Sequence, residues 1–357
     1  SSAAPDRSVD QTRMKHTSKP QSDKLEALIK TISRAESVLI TGHVRPDGDS
    51  LGSMIALAHL LNRASIKAVA TAERGGLGGP GFLTGVEKLL APEKAGKKKF
   101  DLLISLDCGA FDRLPEPIQP LAKKMTVINI DHHRTNTLFG TLNWIESRAS
   151  STGEMIWRLA RKAGWKLDKV AAEALLVAII TDSGRFAYDQ TTPATLRCAA
   201  DLLRYGVRTS LINDKLYCSF SRVSMELKRR AFRTLTVSEN NEVASVTLTG
   251  QDFEDTGGTK ADAEDVIEIP RSLIGNRVAL FFYGNEDDHA ETRVSIRTRA
   301  PLDATVLAKQ FGGGGHACAA GFTLPEPLSQ AKKTVRKAVA EWLAQYPPGC
   351  RPCRDRS

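Results

Sequence analysis

The chain has 357 residues, of which 41% are hydrophobic and 25% charged, and a net charge of +9. That is enough for two ordinary globular domains with a core in each, and it excludes a low-complexity disordered chain. No apolar run approaches the roughly 18 residues of a membrane-spanning helix, so no membrane partner is expected.

Residues 1–24 lack the apolar segment of a secretory signal and read as a disordered tail. From there the chain alternates helix and strand. Leu25, Leu28, Ile29 and Ile32 mark one face of a helix, and Val38-Leu39-Ile40-Thr41 is a short buried strand. Residues 51–61 read as a helix and residues 66–70 as a strand. The apolar runs DLLISLD and TVINID are strands that end on Asp107 and Asp131, and helices follow over 152–163 and 170–180. The alternation predicts an α/β domain over residues 25–220, a parallel sheet flanked by helices, with ligands bound beyond the carboxyl ends of the strands. His43, Asp107 and Asp131 all fall at strand ends and should gather along that edge. The segment ERGGLGGPG (73–81) is too glycine-rich for regular structure and is expected to be a mobile loop.

Residues 221–236 form a charged helical run that suits a linker helix. A second, smaller α+β domain is expected over 237–346, with strands near 242–249, 278–284 and 292–298. A helix over 303–311, a glycine run and an amphipathic helix near 328–345 complete it. Residues 347–357 are a second tail, holding Cys350 and Cys353 as a lone C-x-x-C without the further pair that a zinc site needs. Six scattered cysteines make no disulfide framework, so reduced thiols and a cytoplasmic home are expected. Each tail adds +2, leaving +5, which suits a polyanionic substrate and equally a diffuse surface excess of lysine.

Four clusters carry candidate chemistry. In HVRPDGDSLG, His43, Asp47 and Asp49 lie within seven residues, with Pro46 and Gly48 preventing regular structure between them. Two carboxylates that close repel unless a cation lies between them; the plain alternative is a turn in which Asp49 caps the next helix. Asp107-Cys108-Gly109 ends an apolar strand, and so does Asp131-His132-His133. Asp182 closes an apolar helical run, where a buried carboxylate needs a partner. Taken singly each is an ordinary cap or turn; together they place two imidazoles and four carboxylates in one layer. That hard, oxygen-rich set suits about two divalent ions, Mn²⁺ foremost with Mg²⁺ or Co²⁺ as alternatives. Paired ions about 3.5–4 Å apart clamp a phosphate and activate a water for in-line attack.

In order and wording these clusters resemble the motifs of the DHH phosphoesterase superfamily: HVRPDGDSLGS, LDCG, DHH and ITDSG. The segment VSIRTR followed by DATVLAKQFGGGGHACAAGF resembles the DHH-associated domain of the nano-RNase (oligoribonuclease)/3′-phosphoadenosine 5′-phosphate phosphatase branch. The resemblance implies that His43 and Asp47 hold one metal, that Asp49, His132 and Asp182 hold the other, and that Asp107 bridges them. Asp131 would orient a ligand imidazole from outside, and His133 would face the substrate phosphate. Arg297, His316 and the loop of Gly312, Gly313, Gly314 and Gly315 would bind the nucleotide end; without the other motifs that glycine run reads as a flexible turn. Arg185 is a further candidate phosphate contact. The activity implied is hydrolysis of short RNA oligonucleotides or dinucleotides to mononucleotides, with related action on a mononucleotide bisphosphate; a homodimer is compatible with it. The alternatives are a phosphodiesterase of linear or cyclic dinucleotide signals, a pyrophosphatase, and a nucleotide-sensing module without catalysis. The GGGGH segment argues against the pyrophosphatase, and the six filled ligand positions against the sensor.

Overall fold

The computed structural model describes residues 21–73, 79–286 and 291–347. The chain divides into two compact units at Cys218–Ser219. Among the described residues no helix is long and apolar enough to cross a membrane.

The first unit is built on a five-stranded parallel sheet: β1 (Ser37–Thr41), β2 (Lys67–Thr71), β3 (Leu102–Leu106), β4 (Thr126–Asp131) and β5 (Leu142–Ile145), in the order β2-β1-β3-β4-β5. The strands are short apolar runs because both faces are covered. Val38 and Ile40 of β1 join the larger core with Ile104 and Ile128, whereas Leu39, Leu103 and Val127 belong to a second cluster on the other face. This is the period-2 alternation of a strand turned to two cores. The chain's crossovers reverse between β1 and β3, and at such a switch point a crevice opens beyond the strand ends.

Helices Gly48–Arg63 and Lys169–Asp182 pack closely on the larger core, and glycine is what lets them. A Cβ at Gly48 would lie 2.4 Å from the Thr181 side chain, and one at Gly52 would lie 2.4 Å from the Ala174 carbonyl oxygen. The close approach brings the start of one helix, with Asp49, to the end of the other, with Asp182. The first of these helices begins three residues earlier than its apolar periodicity suggests. Asp47 caps it, accepting from the backbone N–H groups of Asp49 (3.1 Å) and Ser50 (3.0 Å). The helix Gln21–Arg34 likewise starts inside the segment assigned to a tail. The short strand β5 and the helices Pro193–Leu203 and Thr209–Tyr217 have weaker sequence patterns. Of the glycine-rich segment, residues 74–78 lie outside the described residues, and Gly79–Phe82 is a single 3₁₀ turn.

The second unit holds a six-stranded mixed sheet: β6 (Thr236–Val237), β7 (Val243–Leu248), β8 (Val278–Tyr283), β9 (Thr292–Thr298), β10 (Gly314–His316) and β11 (Ala319–Leu324), ordered β10-β11-β9-β8-β7-β6. Only β7 and β8 run parallel; the other pairs are antiparallel. One face packs on the Leu328–Ala344 helix through Val335, Val339 and Trp342. The helix Arg222–Arg233, expected as a linker, packs into this unit: Leu227 and Ala231 are buried with Val246, Leu248 and Phe253. The glycine run is more ordered than its composition suggests. Gly314–His316 is an edge strand paired with β11, and a Cβ at Gly313 would lie 2.3 Å from the Gly321 carbonyl oxygen.

Candidate metal centre

Beyond the carboxyl ends of β1, β3 and β4 the first unit brings together His43, Asp47, Asp49, Asp107, His132, His133 and Asp182. Ligand atoms of His43, Asp47 and Asp107 lie within 4.8 Å of one another, as do those of Asp49, His132 and Asp182, and those of Asp107, His132 and His133. Asp107 is common to two of these groups. Its Oδ2 is 3.7 Å from His43 Nε2 and its Oδ1 3.6 Å from His132 Nε2, so its two oxygens face the two halves of the cluster. The backbone of Asp107 is left-handed (φ 54), a conformation that Asp tolerates better than most residues. Asp182 Oδ2 and Asp49 Oδ2 approach His132 Nε2 to 3.3 and 3.8 Å, and Asp47 Oδ2 lies 3.9 Å from His43 Nε2.

The donor set fits divalent cations. Apart from the 3.3 Å pair these separations exceed hydrogen-bond length, yet two donors each about 2.1 Å from one ion lie at most about 4.2 Å apart. Each imidazole is anchored through Nδ1. His43 Nδ1 meets the Val44 carbonyl oxygen at 2.8 Å and His132 Nδ1 meets that of Ala149 at 3.3 Å. With those nitrogens donating, the Nε2 atoms turned to the carboxylates are in the form that binds a metal. Electrostatics point the same way. Burial and then the neighbouring Asp107 and Asp182 carboxylates raise Asp49 well above the usual range. Asp182 is raised likewise by burial, Asp107 and Asp47. Burial opposes charge on Asp107 too, but the three surrounding imidazoles hold it below the ordinary carboxylate value. Carboxylates that raise one another's pKa describe a cavity asking for positive charge.

Asp131 holds an imidazole, as the resemblance implies, and the ring is that of His133. Its Oδ1 meets His133 Nδ1 at 2.6 Å, so the imidazole it orients is that of His133, and it also accepts the His132 backbone N–H at 2.8 Å. The Ala149 carbonyl meets His132 Nδ1 instead. Asn136 Nδ2 donates to the other oxygen, Oδ2, at 2.6 Å. Burial works against charge on His133, but Asp131 and then Asp107 push its pKa up to about 10. Bound divalent charge nearby would weaken that push. With Nδ1 engaged by Asp131, any contact that His133 makes with a substrate must run through Nε2.

Several residues at this edge escaped the sequence reading. The Thr152 N–H (2.7 Å) and Gly153 N–H (2.9 Å) donate to the two oxygens of Asp49, and the Thr152 hydroxyl lies 3.3 Å from Asp107 Oδ1. Gln190 Nε2 donates to the Asp182 carbonyl at 2.8 Å and to its carboxylate at 3.2 Å. The S-x-x-E pattern Ser151 to Glu154 was a legible helix start; nothing in it indicated that the capped helix begins against Asp49. Arg185 is exposed, with its guanidinium 4.7 Å from the Tyr217 ring centroid.

In the second unit Arg297 sits half-buried on β9, its Nη1 donating to the Ile296 carbonyl at 3.1 Å. Strand register puts the backbones of Arg297, Ala319 and His316 in one row across β9, β11 and β10. The His316 side chain lies outside the described part of the structure. Gly312 and Gly315 have positive φ (70 and 146), and Gly314 has open space where a Cβ would point.

Residues 37–179 match the DHH family, N-terminal domain, and residues 240–345 match the DHHA1 domain. The bifunctional oligoribonuclease and PAP phosphatase NrnA of Bacillus subtilis is 32% identical over 304 residues, covering 83% of this chain and 92% of that protein. The chain belongs to the DHH family. The protein of the same name from Thermus thermophilus is 30% identical, over 90% of this chain and 95% of its own. The crystal structure of an exopolyphosphatase-related protein from Bacteroides fragilis has the same fold, with a TM-score of 0.83 at 24% identity over 91% of this chain and 97% of its own. As a DHH-family chain with this acidic and histidine cluster, the protein is a divalent-metal-dependent phosphoesterase.

Proposed function

We propose that this phosphoesterase hydrolyses short oligoribonucleotides, releasing mononucleotides, and removes a phosphate from 3′-phosphoadenosine 5′-phosphate. The observation that carries the reading is the convergence of six hard donors at the carboxyl edge of the sheet, in a chain that matches two NrnA proteins over most of its length. His43 and Asp47 would hold one ion, Asp49, His132 and Asp182 the other, and Asp107 would serve both. Bound ions supply Lewis acidity to the phosphoryl oxygens and a water of lowered pKa. His133, kept in place by Asp131 through Nδ1, would face the substrate phosphate and donate a hydrogen bond or a proton to it through Nε2. Arg297 grips a phosphate of the nucleotide end in a two-pronged contact beside His316, and the loop of Gly312, Gly313, Gly314 and Gly315 lets the anion come close, although the Gly312 and Gly313 N–H groups already donate to the Lys309 and Ala308 carbonyls. Arg185 adds positive charge at the surface of the first unit.

Mn²⁺ is the ion of choice, because the donors are oxygens and imidazoles. The nearby thiol, Cys108, is no ligand: it is buried, its Sγ donates to the Ala110 carbonyl at 3.3 Å, and burial pushes its pKa up to about 12. The test is a panel with Mn²⁺: RNA dinucleotides, a pentamer, a 24-mer, 3′-phosphoadenosine 5′-phosphate, cyclic dinucleotides and pyrophosphate. Dimers and the pentamer should be degraded fastest, the bisphosphate should lose a phosphate, and pyrophosphate should persist. A preference for cyclic dinucleotides, or equal rates on the 24-mer and a dimer, would contradict the reading.

A further inference from the structure

Glu154 is a fully buried acid on the Thr152–Ala163 helix that touches no candidate ligand. Its Oε2 accepts from the Ser150 N–H (3.1 Å), the Ser150 hydroxyl (2.8 Å) and the Thr195 hydroxyl (2.9 Å), while Oε1 takes Arg158 Nη2. In an ordinary capping box a glutamate at this position reaches back to the N-cap N–H, here that of Ser151. This one reaches a residue further, to Ser150, and so fixes the segment ahead of the helix rather than the helix end alone.

That segment is the outer wall of the metal cluster. Within residues 149–153, the Ala149 carbonyl faces His132 Nδ1, the Thr152 and Gly153 N–H groups hold both oxygens of Asp49, and the Thr152 hydroxyl meets Asp107. Gln190, which holds Asp182, also reaches the Ser150 carbonyl at 3.5 Å. Residues 149–152 are all buried, so their polar groups have little else to bond if the segment shifts.

We infer that Glu154 is a positioning residue for the metal cluster: by anchoring Ser150 it sets the segment that holds Asp49, Asp107 and His132 in register. The inference rests on the metal-centred reading above. Glutamine at this position keeps the shape and loses the function. If the amide oxygen meets Ser150 and Thr195, the amide NH₂ faces the Arg158 donors; turned over, it faces the Ser150 N–H, and the two hydroxyls must turn to accept.

The experiment is Mn²⁺ titration of the metal-free full chain by calorimetry, together with steady-state kinetics on an RNA dinucleotide. The set is wild type, Glu154→Gln, and Asp201→Ala as a control. Asp201 ties the same two helices together through Trp157 Nε1 (2.9 Å) and Arg161 Nη1 (3.0 Å), away from the 149–153 segment. E154Q should bind Mn²⁺ about 10- to 100-fold more weakly, with kcat falling and KM for the dinucleotide unchanged, as lost outer support does at metal sites. D201A should lower the melting temperature and leave Mn²⁺ affinity alone. Wild-type affinity in E154Q, or equal weakening in D201A, overturns the inference. If E154Q does not fold, Ser150→Ala, which removes one tie and keeps the acid, should weaken Mn²⁺ in the same direction by less; unchanged affinity there also overturns it. Wild-type protein that binds no Mn²⁺ overturns the metal reading itself, and that failure is distinct from a wild type that binds two ions beside an unaltered E154Q.

Discussion

Asp107 faces His43 with one oxygen and His132 with the other, and Thr152 holds one of the two. If each oxygen serves a different ion, Asp107→Asn halves the charge of neither site alone but lowers it for both. The expected result is Mn²⁺ affinity reduced at two sites and kcat/KM reduced by more than the roughly 10- to 100-fold that outer partners cost. Calorimetry showing one site intact would contradict the shared role. The binding role proposed for Arg297 is of another kind. A charged hydrogen bond worth about 1.5–3 kcal/mol, made equally in ground and transition states, appears in KM. Arg297→Ala should raise KM for dinucleotides roughly 10- to 100-fold with little change in kcat and none in Mn²⁺ affinity; a fall in kcat at constant KM would assign it to the chemistry instead. At this scale the sequence was readable where candidate ligands end strands, because each is ordinary alone but together they fall at one edge of the sheet. It was unreadable where orientation matters. Asp131 orients His133 while His132 Nδ1 meets the Ala149 carbonyl, and Asp49 is held by backbone N–H groups 103 and 104 residues away.

The cluster depends on two helices meeting closely. At Gly48 a methyl group would press on the Thr181 side chain, next to Asp182. Gly48→Ala should therefore cost about 1–3 kcal/mol and weaken Mn²⁺ binding by separating Asp49 from Asp182. Thermal melting and metal titration read the two effects, and a stable variant of unchanged affinity would show that the approach is not needed. Glu154 links the helix starting at Thr152 to Thr195 on Pro193–Leu203. Burial resists its charge, but Arg158 and the Ser150 donors hold its pKa below the usual glutamate value. A depressed folded pKa stabilises the protein above the unfolded value of about 4.3, and that stability is lost as pH falls through the folded value. The melting-temperature gap between wild type and E154Q should thus be full above about pH 5 and narrow at lower pH; a gap widening on acidification would refute the assignment. The elements with strong periodicity were legible within a few residues, including Thr152–Ala163 at both ends. Those that hid were β5, four residues long with Asn143 at its second position, and β10, whose glycines carry no alternation.

The α/β and α+β division followed from the change of texture after the charged run 221–236, and the structure divides before that run, at Cys218–Ser219. The composition could not say that the charged helix Arg222–Arg233 belongs to the second core, since its long charged side chains mask the two buried apolar positions, Leu227 and Ala231. Nor does net charge identify the site: the chain is basic overall, while its candidate metal centre is a cluster of carboxylates and imidazoles. Those carboxylates should make the protein sensitive to metal removal. Chelation should lower the melting temperature and Mn²⁺ should restore it, because ions that bind only the folded chain stabilise it by mass action. The central claim is that the sheet edge holds two ions, and the most direct measurement is the number of Mn²⁺ bound per metal-free chain by calorimetric titration. Two per chain, falling to one in both His43→Ala and Asp182→Ala, is the expected result. Fewer than two in the wild type, or two in either variant, would contradict it.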